Sequence, residues 1–329
     1  MSAHLFCFSA KGRALCDKIE KFLQEKGYEV TRQPSTDLAA RTRECFQKGN
    51  LLIFVCACGI AVRAIAPLVR DKTEDPAVLV CDDCGNFVIS LLSGHIGGAN
   101  RAAVAVAEFL GATPVVTTAT DRNGKFAVDE FAAMRGYLIS DMKLARAVSS
   151  AILERDIPFF SDLPYRNALP QGLKASQGGE PLGIALSYRE KAPFLKTLFL
   201  RPRVLTLGIG CRRGTSAEKI GRCVEEVFCA EGLNLSCIAK VASVDLKADE
   251  RGLLEFCERQ GLPTSFYTAA ELSVLHGNFT HSERVLRVAG TDNVCERAAV
   301  CGGEKLLVAK KIVDGVTVAV GLREEYVTF

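Results

Sequence analysis

No Lys/Arg-rich block and no interleaving of aromatic with basic residues occurs in this 329-residue chain, and 41 basic against 38 acidic side chains leave a net charge of only +3. Nucleic acid is therefore not the expected partner. No apolar run approaches the roughly 18 residues that read as a membrane span, and the start of the chain holds no basic segment followed by a long apolar core. A soluble, cytoplasmic protein is the expectation. The paired CxxC spacing of a zinc site is missing too: CDDC at 81–84 is single, and only Cys56 and Cys58 could complete a ligand set. The bland reading is a hairpin turn over 81–86, with most of the fourteen cysteines reduced and buried in apolar runs.

What is present is a packed α/β chain. Apolar residues make up 48% and charged residues 24%, which excludes a disordered chain, and the length calls for two or three domains. Strands are expected at 4–8, 51–57, 77–80, 87–92 and 114–121, with helices after 12, over 60–68 and over 101–110 stopped by Gly111. Repeated β-loop-α units imply largely parallel or mixed sheets with helices on both faces. From 131 the pattern loosens into a helix-like stretch over 138–155 and a segment rich in proline and glycine over 158–181. Beyond Pro202 a separate C-terminal α/β domain begins: strand 203–207, a glycine loop over 208–214, helix 216–229, strand 241–246, helix 250–260, strand 264–267, helix 292–301, and strands 306–309 and 316–320. A capping box of Thr215 and Glu218 is expected to start the helix at 216. The boundaries read as 1–130, a middle domain or connector over 131–202, and 203–329.

Two glycine-rich loops carry the chemistry. The first, SGHIGGAN at 93–100, places His95 between an apolar strand and an alanine-rich helix, where free backbone N–H groups of Gly97 and Gly98 could meet an anion or a developing oxyanion. Four histidines are present in all, and flanking glycines at a strand end suit His95 to act as a base. Ser93 is a nucleophile candidate outside the Gly-x-Ser-x-Gly elbow, and Asn100 and Arg101 open the helix. Asp121 closes the next strand's polar end after Thr118, and reads either as a partner of His95, as a proton acceptor, or as a turn carboxylate before Asn123-Gly124. Arg63, in an otherwise apolar helix, either pairs with an internal carboxylate or anchors an acidic ligand. The second loop, GIGCRRGT at 208–215, adds Cys211, Arg212, Arg213 and Thr215, and its glycine spacing also resembles a nucleotide fingerprint with arginines for a 2′-phosphate.

In combination these motifs resemble one family. GIAVRAIAP at 59–67, LLSGHIGGAN at 91–100 and TTATD at 117–121 are similar to the amino-terminal domain of the CbiG family, the cobalt-precorrin-5A hydrolases; LGIGCRRGT at 207–215, ASVDLK at 242–247 with Asp249 and Glu250, and VCE at 294–296 are similar to its carboxy-terminal domain. The resemblance implies a step of anaerobic cobalamin (vitamin B12) biosynthesis: a δ-lactone on a cobalt-corrinoid is opened by water and a two-carbon fragment leaves as acetaldehyde, giving cobalt-precorrin-5B. Cobalt would arrive inside the substrate, so neither a cofactor nor a metal site of the protein's own is expected. The corrinoid carries many carboxylate arms, for which Arg63, Arg101, Arg212 and Arg213 are suitable partners. On this reading His95 activates water, Gly97 and Gly98 hold the oxyanion, and Asp121 orients His95 or takes a proton. Two other readings stand beside it: a non-catalytic corrinoid carrier in contact with neighbouring pathway enzymes, and an NADP-binding oxidoreductase. Oligomeric state is not legible.

Overall fold

In the computed structural model, residues 2–71, 74–118 and 124–329 are described. The chain divides into two compact units, Met1–Ala133 with Ile152–Arg155, and Met134–Ala151 with Asp156–Phe329.

The first unit is built on β1 (Ser2–Cys7), β2 (Glu29–Arg32), β3 (Leu51–Val55), β4 (Ala77–Cys81), β5 (Phe87–Leu92) and β6 (Thr113–Val115), in the order β2-β1-β3-β4-β5-β6. LLIFV of β3 and AVLVC of β4 are buried at every position, as central strands covered on both faces must be. Alternation along the strands separates two cores. Leu5, Ile53 and Leu79 meet α1 (Ala10–Glu25) and α4 (Ala99–Leu110) through Ile19 and Val106. Phe6, Phe54 and Val80 face the other way, toward Cys45 of α2 (Leu38–Cys45) and Ala61 and Ile65 of α3 (Cys58–Ile65), with the two phenyl rings stacked at 4.4 Å.

Strand direction decides where the loops fall. β1, β2, β3 and β4 are parallel, β5 turns back antiparallel through the 82–86 hairpin, and β6 runs with β5. The ends of β5 and β6 therefore lie at the starting edge of β3 and β4. The strand expected over 114–121 stops at Val115, because beyond it a side-chain bridge replaces the ladder: Ser90 Oγ donates to Asn100 Oδ1 at 2.7 Å, and Asn100 Nδ2 donates to Thr118 Oγ1 at 3.0 Å.

In the second unit the middle segment forms a sheet of β7 (Leu138–Ile139), β8 (Ile157–Ser161), β9 (Leu173–Ala175), β10 (Leu182–Leu186) and β11 (Lys196–Arg201), ordered β7-β11-β10-β8-β9. Of the helix-like stretch expected over 138–155, Met142–Ala151 is helix and Leu138–Ile139 is strand. Ser140 N–H instead extends the pairing with β11 through the Phe199 carbonyl, and Asp141 restarts the chain by accepting the N–H groups of Lys143 (2.7 Å) and Leu144 (3.0 Å) ahead of the helix Met142–Ala151.

The last sheet holds β12 (Leu205–Gly210), β13 (Ile238–Val244), β14 (Thr264–Tyr267), β15 (Lys305–Val313) and β16 (Val316–Leu322), ordered β14-β13-β12-β16-β15. β12, β13 and β14 are parallel, and β16 is antiparallel to both its neighbours. Gly208 and Gly210 lie inside β12 rather than in a loop, which corrects the glycine-loop boundary. The reason is packing: a Cβ on Gly208 would stand 1.9 Å from the Cys295 carbonyl oxygen, and one on Gly321 would stand 2.0 Å from that of Ala299. Two bare glycines thus let the helix Cys295–Val300 lie directly on the sheet.

Candidate active site

The SGHIGGAN loop follows β5, and its residue types are dictated by crowding. Ser93 adopts a left-handed φ of 56° and its hydroxyl donates to the Asp75 carbonyl at 3.0 Å. A Cβ on Gly97 would come within 2.5 Å of the Ser93 Cβ, and one on Gly94 within 2.6 Å of Asn100 Oδ1. The chain folds back so tightly that it caps its own helix. Gly98, Ala99 and Asn100 N–H donate to the carbonyls of His95 (3.0 Å), Ser93 (3.2 Å) and Gly94 (3.0 Å). This corrects the expectation of a helix start with free donors, and it commits the Gly98 N–H assigned to an oxyanion.

His95 sits on this framework with a carboxylate beside it. Its Nδ1 lies 3.3 Å from Oδ1 of Asp129, with side-chain exposures of 18% and 7%. Asp121, expected in that place, lies outside the described residues. Asp129 belongs to the first turn of the helix Val128–Arg135, and the next residue, Glu130, pairs with Arg101 at 3.4 Å. A cavity of about 510 Å³ opens against Asn100, Arg101, Val104, Pro114, Val116 and Glu130. The structure thus brings His95, Asn100, Arg101 and Thr118 into one neighbourhood. Arg63 is elsewhere: its exposed guanidinium donates to the Gly59 carbonyl at 3.1 Å, at the finishing edge of β3, while the His95 loop stands at the starting edge of β4.

The segment after β12 is also internally satisfied. Gly214 N–H donates to Glu250 Oε1 at 2.8 Å, and the other oxygen of this buried carboxylate takes Lys247 Nζ at 3.1 Å. Arg213 Nη1 meets both oxygens of Asp249 at 3.2 Å, and that guanidinium holds the Asp249 carboxyl below its ordinary range. Arg212 is exposed and makes no ion pair among the described residues. Cys211 is half-buried; burial pushes its thiol up against the opposing pull of Lys247, so it is held as the thiol. Thr215 donates to the Arg212 carbonyl at 2.7 Å, and the helix Ala217–Glu231 is capped by Ser216, which accepts Lys219 N–H at 3.3 Å. The Thr215 capping box is thereby corrected, since Glu218 turns outward to Arg259. With two of its glycines in a strand and the third already answered by a carboxylate, this segment is not a phosphate cradle, which removes the basis of the nucleotide reading.

Asp129 carries its arrangement without having been singled out by sequence, whereas Lys247 and Glu250 stood in the ASVDLK motif and its DE continuation with no role given to them. The paired acids at 129–130 just ahead of an apolar stretch were the available signal for Asp129. Of the cysteines weighed as zinc ligands, Cys56 and Cys81 are buried and Cys58 and Cys84 exposed, and no group of three or more His, Cys, Asp or Glu side chains is arranged to hold a metal ion among the described residues. Nor is any helix among those residues long and apolar enough to cross a membrane.

These features describe a multi-domain α/β protein with polar side-chain clusters at its strand ends. The family description "Cobalamin synthesis G N-terminal" matches residues 40–121, and "Cobalamin synthesis G C-terminus" matches residues 205–321. Cobalt-precorrin-5A hydrolase of Salmonella typhimurium is 33% identical, with 98% of this chain and 97% of that protein covered. The corresponding hydrolase of Priestia megaterium is 33% identical over 298 residues, covering 84% of this chain and 79% of that one. Protein CobE of a Sinorhizobium species is 34% identical over 113 residues, covering 33% of this chain and 73% of CobE. The chain belongs to the CbiG family of cobalamin synthesis.

Proposed function

We propose that this protein is a cobalt-precorrin-5A hydrolase that opens the substrate's δ-lactone with water and releases acetaldehyde. The observation that carries the reading is the match to the Salmonella hydrolase, which runs almost end to end in both chains at 33% identity. His95 takes a proton from water as the oxygen adds to the lactone carbonyl. The Gly97 N–H is the other of the two loop donors assigned to the oxyanion, a contribution worth about 3 kcal/mol where such donors have been removed elsewhere. Collapse breaks the ring C–O bond and frees an alcohol. Loss of its proton, for which Asp121 is the acceptor in this reading, breaks the carbon–carbon bond; acetaldehyde departs and the electron pair stays on the macrocycle, to be quenched by a proton.

Asn100 and Thr118 line the His95 neighbourhood, where Arg101 offers a cation to a carboxylate arm of the corrinoid; Arg63 elsewhere on the same unit, and Arg212 with Cys211, Arg213 and Thr215 on the other unit, are separate candidates for the same carboxylate chemistry. Cobalt enters with the substrate and is not a resident ion. The enzyme works in the cytoplasm, taking its corrinoid from neighbouring pathway enzymes and passing it on.

The test is acetaldehyde production by purified protein with the lactone substrate. His95→Ala is expected to abolish release while corrinoid binding, read from its absorption spectrum, persists. Turnover of His95→Ala at the wild-type rate overturns the assignment of the base. Binding without acetaldehyde in the wild type indicates a carrier.

A further inference from the structure

We propose that Asp129 is the positioning residue of His95, fixing the tautomer in which Nδ1 carries the proton and Nε2 is the basic nitrogen. The inference rests on the hydrolase reading and adds to it a residue far from the loop in sequence. Three observations carry it. Asp129 is buried to 5% exposure, and a carboxylate taken out of water needs a donor. His95 Nδ1 stands 3.3 Å from Asp129 Oδ1 as an ion-pair contact, and the same oxygen accepts the Glu130 N–H at 3.1 Å. The carboxylate is held from behind, because Val128, Phe131 and Ala132 of the same helix are buried and leave the first turn little freedom.

The neighbouring pair extends the pattern. Glu130 takes Arg101 just as Asp129 takes His95, so one helical turn orients both the base and a cation at the start of α4. A carboxylate that accepts Nδ1–H directs the imidazole lone pair at Nε2 and stabilises the imidazolium formed when water gives up its proton. Asp129 itself touches no reacting atom.

Asp129→Asn keeps the size of the side chain and removes its charge. Its kcat is expected to fall by about a hundredfold or more, with KM within about threefold and the melting temperature within a few degrees of wild type. Asp129→Glu is expected to restore part of kcat. Nitrogen NMR of the His95 imidazole is expected to show Nδ1–H in the wild type and a mixture of tautomers in Asp129→Asn. Asp129→Asn with wild-type kcat and an unchanged imidazole spectrum overturns this inference alone, provided the wild type makes acetaldehyde. So does a loss in which KM rises in proportion and both variants melt early, since that marks a structural tie only. A wild type that binds corrinoid and makes no acetaldehyde removes the hydrolase reading together with this one.

Discussion

Gly208→Ala separates a packing glycine from a nucleotide-loop glycine. The added methyl would lie 1.9 Å from the Cys295 carbonyl oxygen and 2.9 Å from the Ala299 Cβ, both on the helix Cys295–Val300. To restore ordinary contact that helix must withdraw by about 1.5 Å, which forfeits dispersion contacts along its whole face. Its inner side chains, Cys295, Ala298 and Ala299, are essentially fully buried, so the strain has no solvent-facing outlet. Overpacking of this kind costs about 3 kcal/mol, at the upper end of the usual range. For a unit of this size that is a fall of roughly 6–12 °C in melting temperature. Gly221→Ala is the control in the same unit: it lies inside the helix Ala217–Glu231 with its nearest neighbour, Phe256, 3.7 Å away. There the methyl fits, and relief of glycine's chain entropy should raise stability by about 0.5–1 kcal/mol. Differential scanning calorimetry of the two variants reads the opposite signs directly. A Gly208→Ala protein that melts with the wild type would refute the packing account.

Two smaller predictions concern caps and charges. Ser216→Ala should lower the urea midpoint by the equivalent of about 1 kcal/mol and Thr215→Ala by clearly less, because Ser216 alone accepts the Lys219 N–H; the reverse order would reinstate Thr215 as the cap. For Glu304, burial pushes the carboxyl up, but the hydrogen bonds from Lys240 and Thr206 outweigh it and leave the group below its ordinary value. A carboxyl held down in the fold contributes stability that is complete above the unfolded value, about pH 4.3, and fades as pH falls through the folded one. Glu304→Gln should therefore flatten the acid-side decline of the urea midpoint between about pH 5 and 3, and an unchanged slope would exclude Glu304 as its source.

The fold was legible where burial is uniform and turns are marked by chemistry. LLIFV and AVLV read as strands because they are apolar throughout, as strands covered on both faces are, and the hairpin expected over 81–86 forms where Asp82 and Asn86 stop the strands, with Asp82 Oδ1 accepting the Phe87 N–H at 2.7 Å. The β7 strand was not legible, since two residues carry no period and their pairing with β11 is long-range. Glycine was the most ambiguous letter. Gly97 is required by a chain folding back on itself and Gly208 by a helix crossing a strand, yet both appear in sequence as a glycine next to an isoleucine in a glycine-rich run. His95 could be picked out by scarcity and by its loop; its partner could not, because Asp129 reaches it only through the placement of a later helix.

Both glycine-rich segments commit backbone N–H groups to the chain itself, and this changes what recognises a ligand. In the first the carbonyls of residues 93–95 take the helix-start N–H groups, and in the second Glu250 takes the Gly214 N–H. A bare backbone cradle would have fixed one compact anion at one point. What is left facing solvent is guanidinium: beside the first segment a half-exposed Arg101 steadied by Glu130, and in the second, taken by itself, Arg212 on a flexible stem. Such groups reach carboxylates at different distances and keep bidentate geometry while doing so. That suits a macrocycle with acids distributed around its rim better than it suits a nucleotide pyrophosphate. In the proposed mechanism the folded-back chain at 93–98 has a separate part, setting His95 against Asp129.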